Sequence, residues 1–372
     1  MITAFPELFA EFLRTSIPGR AAAKKLVGVN VINLRDFGRG NYRQLDDYAF
    51  GSGGMVFAAP QLKDALDFAT AKFEGVKPYV VYPSPQGALI SQETIETLAS
   101  HEHVIIICGH YEGIDERFVQ KYVDLEVSAG DFVLTGGEIP AMLIIDAMSR
   151  LVPGVVGKSK AVIEDSFYRG MLDNPNYTRP ALWEGLGVPG VLTGGNEREI
   201  SRWRRREAVR RTLTRRPDLV ARASIREYVS GANVAVFAGN ENVNLSGLPE
   251  LCKAYDLGRP YIIARTHELR EAMKESCPEA KIFGDIRRVY EAVGGDVLTV
   301  KVSVNARKNF LHSLEAKRKC LEHDGNILFV FAEDFGMIEG LEGICGWLYA
   351  DDVKIPLNVI IGAGLDRFLG KR

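Results

Sequence analysis

No stretch of this 372-residue chain approaches the ~20 consecutive apolar residues that a bilayer-spanning helix requires, so no membrane is expected among its partners. The opening residues, MITAFPELFAEF, have no basic n-region and place acids among the apolar positions, which excludes a signal peptide. Cysteine is scarce and dispersed. The five residues Cys108, Cys252, Cys277, Cys320 and Cys345 are odd in number and contain no CxxC pair. That spacing argues against a disulfide framework or a zinc site and for a reducing, cytoplasmic setting. His101 and His103 likewise have no third ligand at zinc spacing. Net charge is almost absent, −2 at neutral pH, which excludes wholesale coating of nucleic acid. What remains is a globular composition, 46% hydrophobic and 25% charged, with a length that predicts two or three domains.

The little charge there is lies unevenly. Residues 1–196 carry 17 Lys/Arg against 23 Asp/Glu, residues 197–222 carry 10 against 4, and residues 223–372 carry 19 against 21. The positive segment, EREISRWRRREAVRRTL from Glu197 to Leu213, has helical periodicity with Ile200, Trp203, Val209 and Leu213 near one side. Too few acids stand nearby to pair its arginines, so phosphate binding by counterion release competes with a merely solvated face.

Glycine is concentrated in two loops between Val104 and Ala141. The β-branched run Val104 to Cys108 reads as a buried strand and breaks into Gly109-His110-Tyr111-Glu112-Gly113. The second loop, Ser128 to Gly137, leads into a helix expected from Pro140 to Arg150. Glycines let backbone amides approach a ligand at the carboxyl end of a parallel sheet. Glu112, Asp115, Glu116 and Asp131 repel phosphate, so the pocket favours a nucleoside that carries positive charge. S-adenosylmethionine has that chemistry.

Along the rest of the first half, strands are expected at Met1 to Ala4, Leu26 to Leu34 and Tyr79 to Tyr82. Helices are expected at Glu7 to Thr15, Gln61 to Phe73 and Gln92 to Ser100, and residues 38–57 form a long loop. Pro83 to Gly87 reads as a turn. The run PGVVGKS tempts a phosphate-loop reading, but Val152 stands where that motif needs glycine, and a helix precedes it instead of a strand. Residues 161–180 have no clear periodicity. Past residue 228 strands and helices alternate (strands near 232–238, 261–264, 297–304 and 327–332; helices near 248–255, 307–323 and 357–369), which predicts a second parallel sheet.

CGHYEGIDER, SAGDFVLTGGEIPA, EDSF and NPNYTRP occur in this order. Together they resemble the bacterial tRNA (guanine-N1)-methyltransferases of the TrmD family, members of the trefoil-knotted SPOUT class. The resemblance runs from Met1 to about Leu219. It implies an α/β fold with a knotted parallel-sheet methyltransferase domain over 1–160. An interdomain loop and an arginine-rich tRNA-binding segment follow over 161–227. Residues 228–372 resemble, more remotely, a SPOUT-like RNA methyltransferase domain, through SVNARK from Ser303 and LDRFLG from Leu365. There Glu333-Asp334-Phe335-Gly336 replaces a glycine-rich turn, so this domain is read as having lost its cofactor pocket. Lys301, Arg307, Lys308 and Lys317-Arg318-Lys319 are its candidate phosphate contacts.

The resemblance also implies roles. S-adenosylmethionine falls to Tyr82, Ser84, Pro85, Gly109, Tyr111, Glu112, Gly113, Ala129, Gly130, Asp131, Phe132, Val133, Leu134, Gly136, Gly137 and Pro140. Within that set Glu112 faces the methionine amino group or sulfonium, or else caps its turn. His110, where relatives often carry arginine, is read as a neighbour without a catalytic role. Methylating N1 of guanine requires a base for its proton and a donor for the charge that grows on O6. These jobs fall to Asp165 and Arg150, unless the two simply pair with each other. An ordinary carboxylate is a weak base for such a proton, and desolvation in a closed site is what strengthens it. The tRNA contacts fall to Lys158, Arg179, Arg202, Arg205, Arg206 and Arg210. The family further implies a homodimer with its site at the subunit interface, guanosine 37 as target, and an association with Mg2+. One departure stands out: Asp46-Asp47 match, but the following Phe50 to Met55 is a residue shorter than the family pattern and lacks its proline. It supports the rival reading, a non-catalytic RNA-binding protein that kept the fold.

Overall fold

Three strands centred on Val80-Val81, Ile105-Ile106 and Val127 bury apolar side chains between two covering layers. They are β5 (Tyr79–Leu89), β6 (Val104–Ile106) and β7 (Leu125–Ser128), which pair in the parallel order β6-β5-β7. The structure is a computed structural model that describes residues 1–51, 53–73, 75–156, 165–229, 231–240, 243–303, 313–332, 335, 344–347 and 356–370. The chain divides into two compact units, Met1–Ile163 and Glu164–Arg372.

In the first unit, β1 (Ile2–Thr3) pairs in parallel with β2 (Ile32–Asn33), and Ile2 bridges Ile107 just past β6. All of these strands therefore run in one direction and present their carboxyl ends on one side. Helix α2 (Ala59–Thr70) buries Leu62, Ala65, Leu66 and Ala69 at helical spacing on one face of the sheet. Helices α3 (Gln92–Ala99) and α5 (Glu138–Leu151) cover the other face through Ile95, Leu98, Ala141, Ile144 and Ile145. A capping box fixes the start of α3, where the Ser91 hydroxyl accepts from the Thr94 amide.

Several expectations are corrected here. Leu26 to Leu34 is a strand only at Ile32–Asn33, because a 3-10 turn (Leu34–Phe37) begins at once and Asn33 caps it by accepting from the Arg35 amide. The helix expected at Glu7 to Thr15 is a 3-10 turn (Pro6–Phe9) followed by turns, and the α-helix starts only at Ser16 (Ser16–Ala23). Ser84 to Gly87 is not a turn closing a strand. β5 continues to Leu89, and Pro83 and Ala88 both pair with Val127, so four residues bulge out between them. The loop over 38–57 contains a hairpin, β3 (Asp46–Tyr48) against β4 (Met55–Phe57). Helix α4 (Glu116–Tyr122), capped by the Asp115 side chain, had no counterpart in the sequence reading.

The second unit holds a small antiparallel pair, β8 (Leu182–Trp183) and β9 (Leu186–Gly187), and a larger sheet. The larger sheet has six parallel strands, β10 (Gly231–Phe237), β11 (Tyr261–Ile263), β12 (Lys281–Phe283), β13 (Val297–Ser303), β14 (Asn326–Phe331) and β15 (Ile344–Trp347). Their order is β12-β11-β10-β14-β13-β15. β14 is central, and Ile327 to Phe331 are apolar and fully buried. One hydrophobic core joins Met171, Val209, Val220 and Ile225 to Val236, Phe329, Ile361 and Phe368. The stretches 161–227 and 228–372, separated in the sequence reading, thus share a core.

Lys317 was expected to touch phosphate, and the structure corrects this. It is 1% exposed, and its ammonium donates to the Ala223 carbonyl at 2.6 Å and the Ala221 carbonyl at 3.3 Å. Those carbonyls belong to the end of the helix Pro217–Arg222, where a cation is favourable. Arg307, Lys308, Glu333, Asp334 and Gly336 lie outside the described residues.

Candidate active site

The two glycine loops leave the carboxyl ends of β6 and β7, the parallel strands on either side of β5, and meet. The Gly137 amide donates to the Gly109 carbonyl at 2.9 Å, and His110 pairs with Gly136 in an antiparallel bridge. The contact needs glycine, because a Cβ at Gly137 would stand 2.9 Å from the Cα of Cys108. The hairpin β3–β4 joins the same cluster. Phe57 bridges Ile114, the Phe57 amide donates to the Gly113 carbonyl at 3.0 Å, and the Glu112 amide donates to Met55. Three backbone segments with little side-chain bulk therefore converge where a parallel sheet offers its binding crevice.

A buried polar cluster fastens these loops from below. Glu138, the first residue of α5, is 3% exposed. It accepts from the Thr3 hydroxyl at 2.7 Å, and its other oxygen lies 2.7 Å from His110 Nε2. A buried carboxylate is costly unless its lone pairs are occupied, and here both oxygens are. His110 is thus a structural link between the first loop and α5, a role the sequence reading missed, as it missed Thr3 and Glu138. The available signal was a glutamate directly after Gly136-Gly137, ahead of the apolar run Ile139 to Ile145.

The candidate cofactor residues divide by exposure. Tyr82 on β5 is buried, and its ring would meet a Cβ at Gly109 at 3.0 Å. Burial pushes its hydroxyl up to about 12, opposed by a hydrogen bond from the Ile114 backbone. Ser84 is buried and accepts from the Gln86 amide, while Pro85 beside it is exposed. Gly137 and Pro140 are buried, Gly136, Ala129 and Gly130 half-buried. Asp131, Phe132, Val133 and Leu134 form an exposed tip, Val133 being 91% exposed. Tyr111 is exposed with φ 57° and stands edge-on to Phe57, and the Glu112 side chain lies over Gly54. Cys108 offers no nucleophile at this site, since burial raises its thiol well above the ordinary range.

Arg150 lies in the last turn of α5, half-buried, in the first unit. Asp165 is exposed and opens the described part of the second unit. It lines a polar cavity of about 560 Å³ with Asp173, Asn174, Arg204, Arg205 and Tyr228. Arg179 lines a neighbouring cavity of about 580 Å³. Arg202, Arg205, Arg206 and Arg210 are exposed on the helix Glu197–Arg215, whose Asn196 cap accepts from the Arg198 and Glu199 amides. The expected shortage of acids is corrected at two of them. Arg210 pairs with Glu207 at 2.6 Å, holding that carboxyl below its usual range, and Arg206 pairs with Asp324 at 2.8 Å. Lys158 lies outside the described residues.

A family model described as tRNA (Guanine-1)-methyltransferase TrmD matches residues 1–222. Among curated relatives, the tRNA (guanine-N(1)-)-methyltransferase of Moorella thermoacetica is 50% identical over 226 residues, covering 60% of this chain and 90% of that protein. The enzyme of the same name from Bacillus pumilus is 48% identical over 220 residues, 59% of this chain and 90% of its own. That of Endomicrobium trichonymphae is 44% identical over 228 residues, 59% of this chain and 97% of its own.

Proposed function

Because the chain belongs to the TrmD family and is a tRNA (guanine-N1)-methyltransferase, we propose that the two joined glycine loops hold S-adenosylmethionine and that Asp165 and Arg150 act on guanosine 37. The observation that carries this reading is the hydrogen bond from Gly137 to Gly109, which makes one backbone cradle of two separate loops. Its walls suit the ligand: small residues allow close approach, and Glu112 and Asp131 favour a cation over a phosphate. When bound, the cofactor supplies an electrophilic methyl on a sulfonium.

The protein's own groups do the rest. Tyr82 packs against Gly109 and Gly113, and the loop Ala129 to Leu134 belongs to the other side of the cradle. Asp165 takes the proton from N1 of guanine, and Arg150 donates to O6 as negative charge grows there. The guanidinium fork suits that oxygen. The exposed apolar tip of Phe132, Val133 and Leu134, with Ile139 and Leu143 on the following helix, is the surface a second subunit would cover. A homodimer of this kind brings Asp165 of one protomer to the cradle of its partner. The knotted topology and the SPOUT-like character of the C-terminal sheet belong to the same reading, and so does a cytoplasmic setting. No helix among the described residues is long and apolar enough to cross a membrane. Among the described residues no group of three or more His, Cys, Asp and Glu side chains is disposed to hold a metal ion, and no step here runs through Mg2+.

Methyl transfer to unmodified tRNA, followed by mapping of the modified base, tests the reading. Asp165→Ala should abolish turnover while cofactor affinity stays within a few-fold. Turnover at the unaltered rate would remove Asp165 from the mechanism.

A further inference from the structure

The helix Glu197–Arg215 is about 28 Å long at 1.5 Å per residue, and three cavities of the second unit follow it in a row. The first, at its amino-terminal end, shares Asn174, Asn176 and Arg204 with the second, which contains Asp165. The second shares Arg205 and Tyr228 with a third of about 830 Å³. One wall of the third cavity is the arginine helix, with Arg202, Arg206 and Arg210. The other comes from beyond the family match, with Arg318, Glu322 and Asp324.

We propose that residues 313–324 form the second wall of a groove for the tRNA backbone leading away from the target guanosine, with Arg318 as the cation they add. The inference rests on the reading of Asp165 as the residue beside that guanosine. Five arginines line the third cavity against three carboxylates, Glu207, Glu322 and Asp324. Each carboxylate already holds one arginine, at 2.6 Å for Arg210, 2.8 Å for Arg318 and 2.8 Å for Arg206. Among the described residues Arg202 makes no ion pair, and Arg205 donates to the Glu227 carbonyl at 3.5 Å and to no carboxylate. All three pairs are solvent-accessible on the arginine side, so little free energy holds them closed. A phosphate can then displace the carboxylate from its arginine. The two walls also share one hydrophobic core, which keeps the groove's width constant. A single strand of RNA, with flexible phosphates, fits such a trough better than a rigid protein surface does.

The test measures binding of unmodified tRNA to the full-length protein over a range of salt concentrations. Arg318→Gln should weaken binding about 3- to 10-fold and reduce the slope of log K against log salt by nearly one. Glu322→Gln, which releases Arg318 from its intramolecular partner, should tighten binding. A misfolded variant would not produce that gain. Lys274→Gln removes a charge on a helix away from the groove and controls for charge alone. The inference is overturned if Arg318→Gln behaves as Lys274→Gln does, or if Glu322→Gln weakens binding. Methyl transfer by the unaltered protein is followed in parallel. Its absence would sink the reading of the site, whereas transfer with an indifferent Arg318 sinks only this inference.

Discussion

Tyr82 shows how one side chain serves both packing and the site. Its ring fills the space that Gly109 leaves open, and burial raises its hydroxyl to about 12. An unfolded tyrosine ionises near pH 10, so the folded state keeps its proton longer than the unfolded state does. Stability contributed by the neutral hydroxyl is therefore complete below pH 10 and is lost as pH rises from about 10 to about 12. Denaturant melts at pH 9 and pH 11.5 should show this decline, and Tyr82→Phe should remove about 2 kcal/mol of it. Equal pH profiles for the two proteins would mean that the hydroxyl is solvated. His110 and Glu138 teach a related lesson about reading sequences. A histidine among glycines looks incidental until Thr3 and Glu138, 135 positions apart, are seen to meet. Only the fold brings such partners together, so no local pattern announces them.

At the level of elements, the exposed tip of the second loop and the face of α5 after it carry the expectation of assembly. Val133→Asp should convert the protein from dimer to monomer in sedimentation experiments and remove methyl transfer with it; a monomeric protein before substitution would refute the dimer. Much of the element map was legible because the physics was local. The helix Gln92–Ala99 has its Ser91 cap, and Leu357–Leu369 has apolar positions at helical spacing. β14 is a run of five apolar residues between Asn326 and Ala332. Elements decided by distant partners were not legible. Lys281–Phe283 is a three-residue strand that exists because Tyr261–Ile263 lies beside it, and Glu116–Tyr122 is too short for periodicity to register. The bulge at Ser84 to Gly87 was hidden for a further reason. Its proline and glycine spell a turn, and only pairing of Pro83 and Ala88 with the same Val127 shows that the strand resumes. For the candidate site, the glycine loops were readable from composition, whereas their hydrogen bond to each other was not.

At the scale of the whole molecule, the telling feature is the core that runs from Met171 to Phe368. It predicts that the arginine helix and β14 unfold together. Amides in the middle of Glu197–Arg215 should exchange with the same free energy as those of Asn326–Phe331, and faster exchange in the helix would separate them. Lys317→Met, which leaves the Ala221 and Ala223 carbonyls without their buried ammonium, should cost the second unit about 1–3 kcal/mol. The first unit's melting should not change. The same core bears on how such a chain can be recombined. A seam placed near residue 228, where the recognisable methyltransferase sequence gives out, would cut through packed apolar side chains and strand half of them in water. Parts could be exchanged between this protein and its shorter relatives only by cutting upstream, near residue 164, so the arginine helix must travel with the sheet it has become part of.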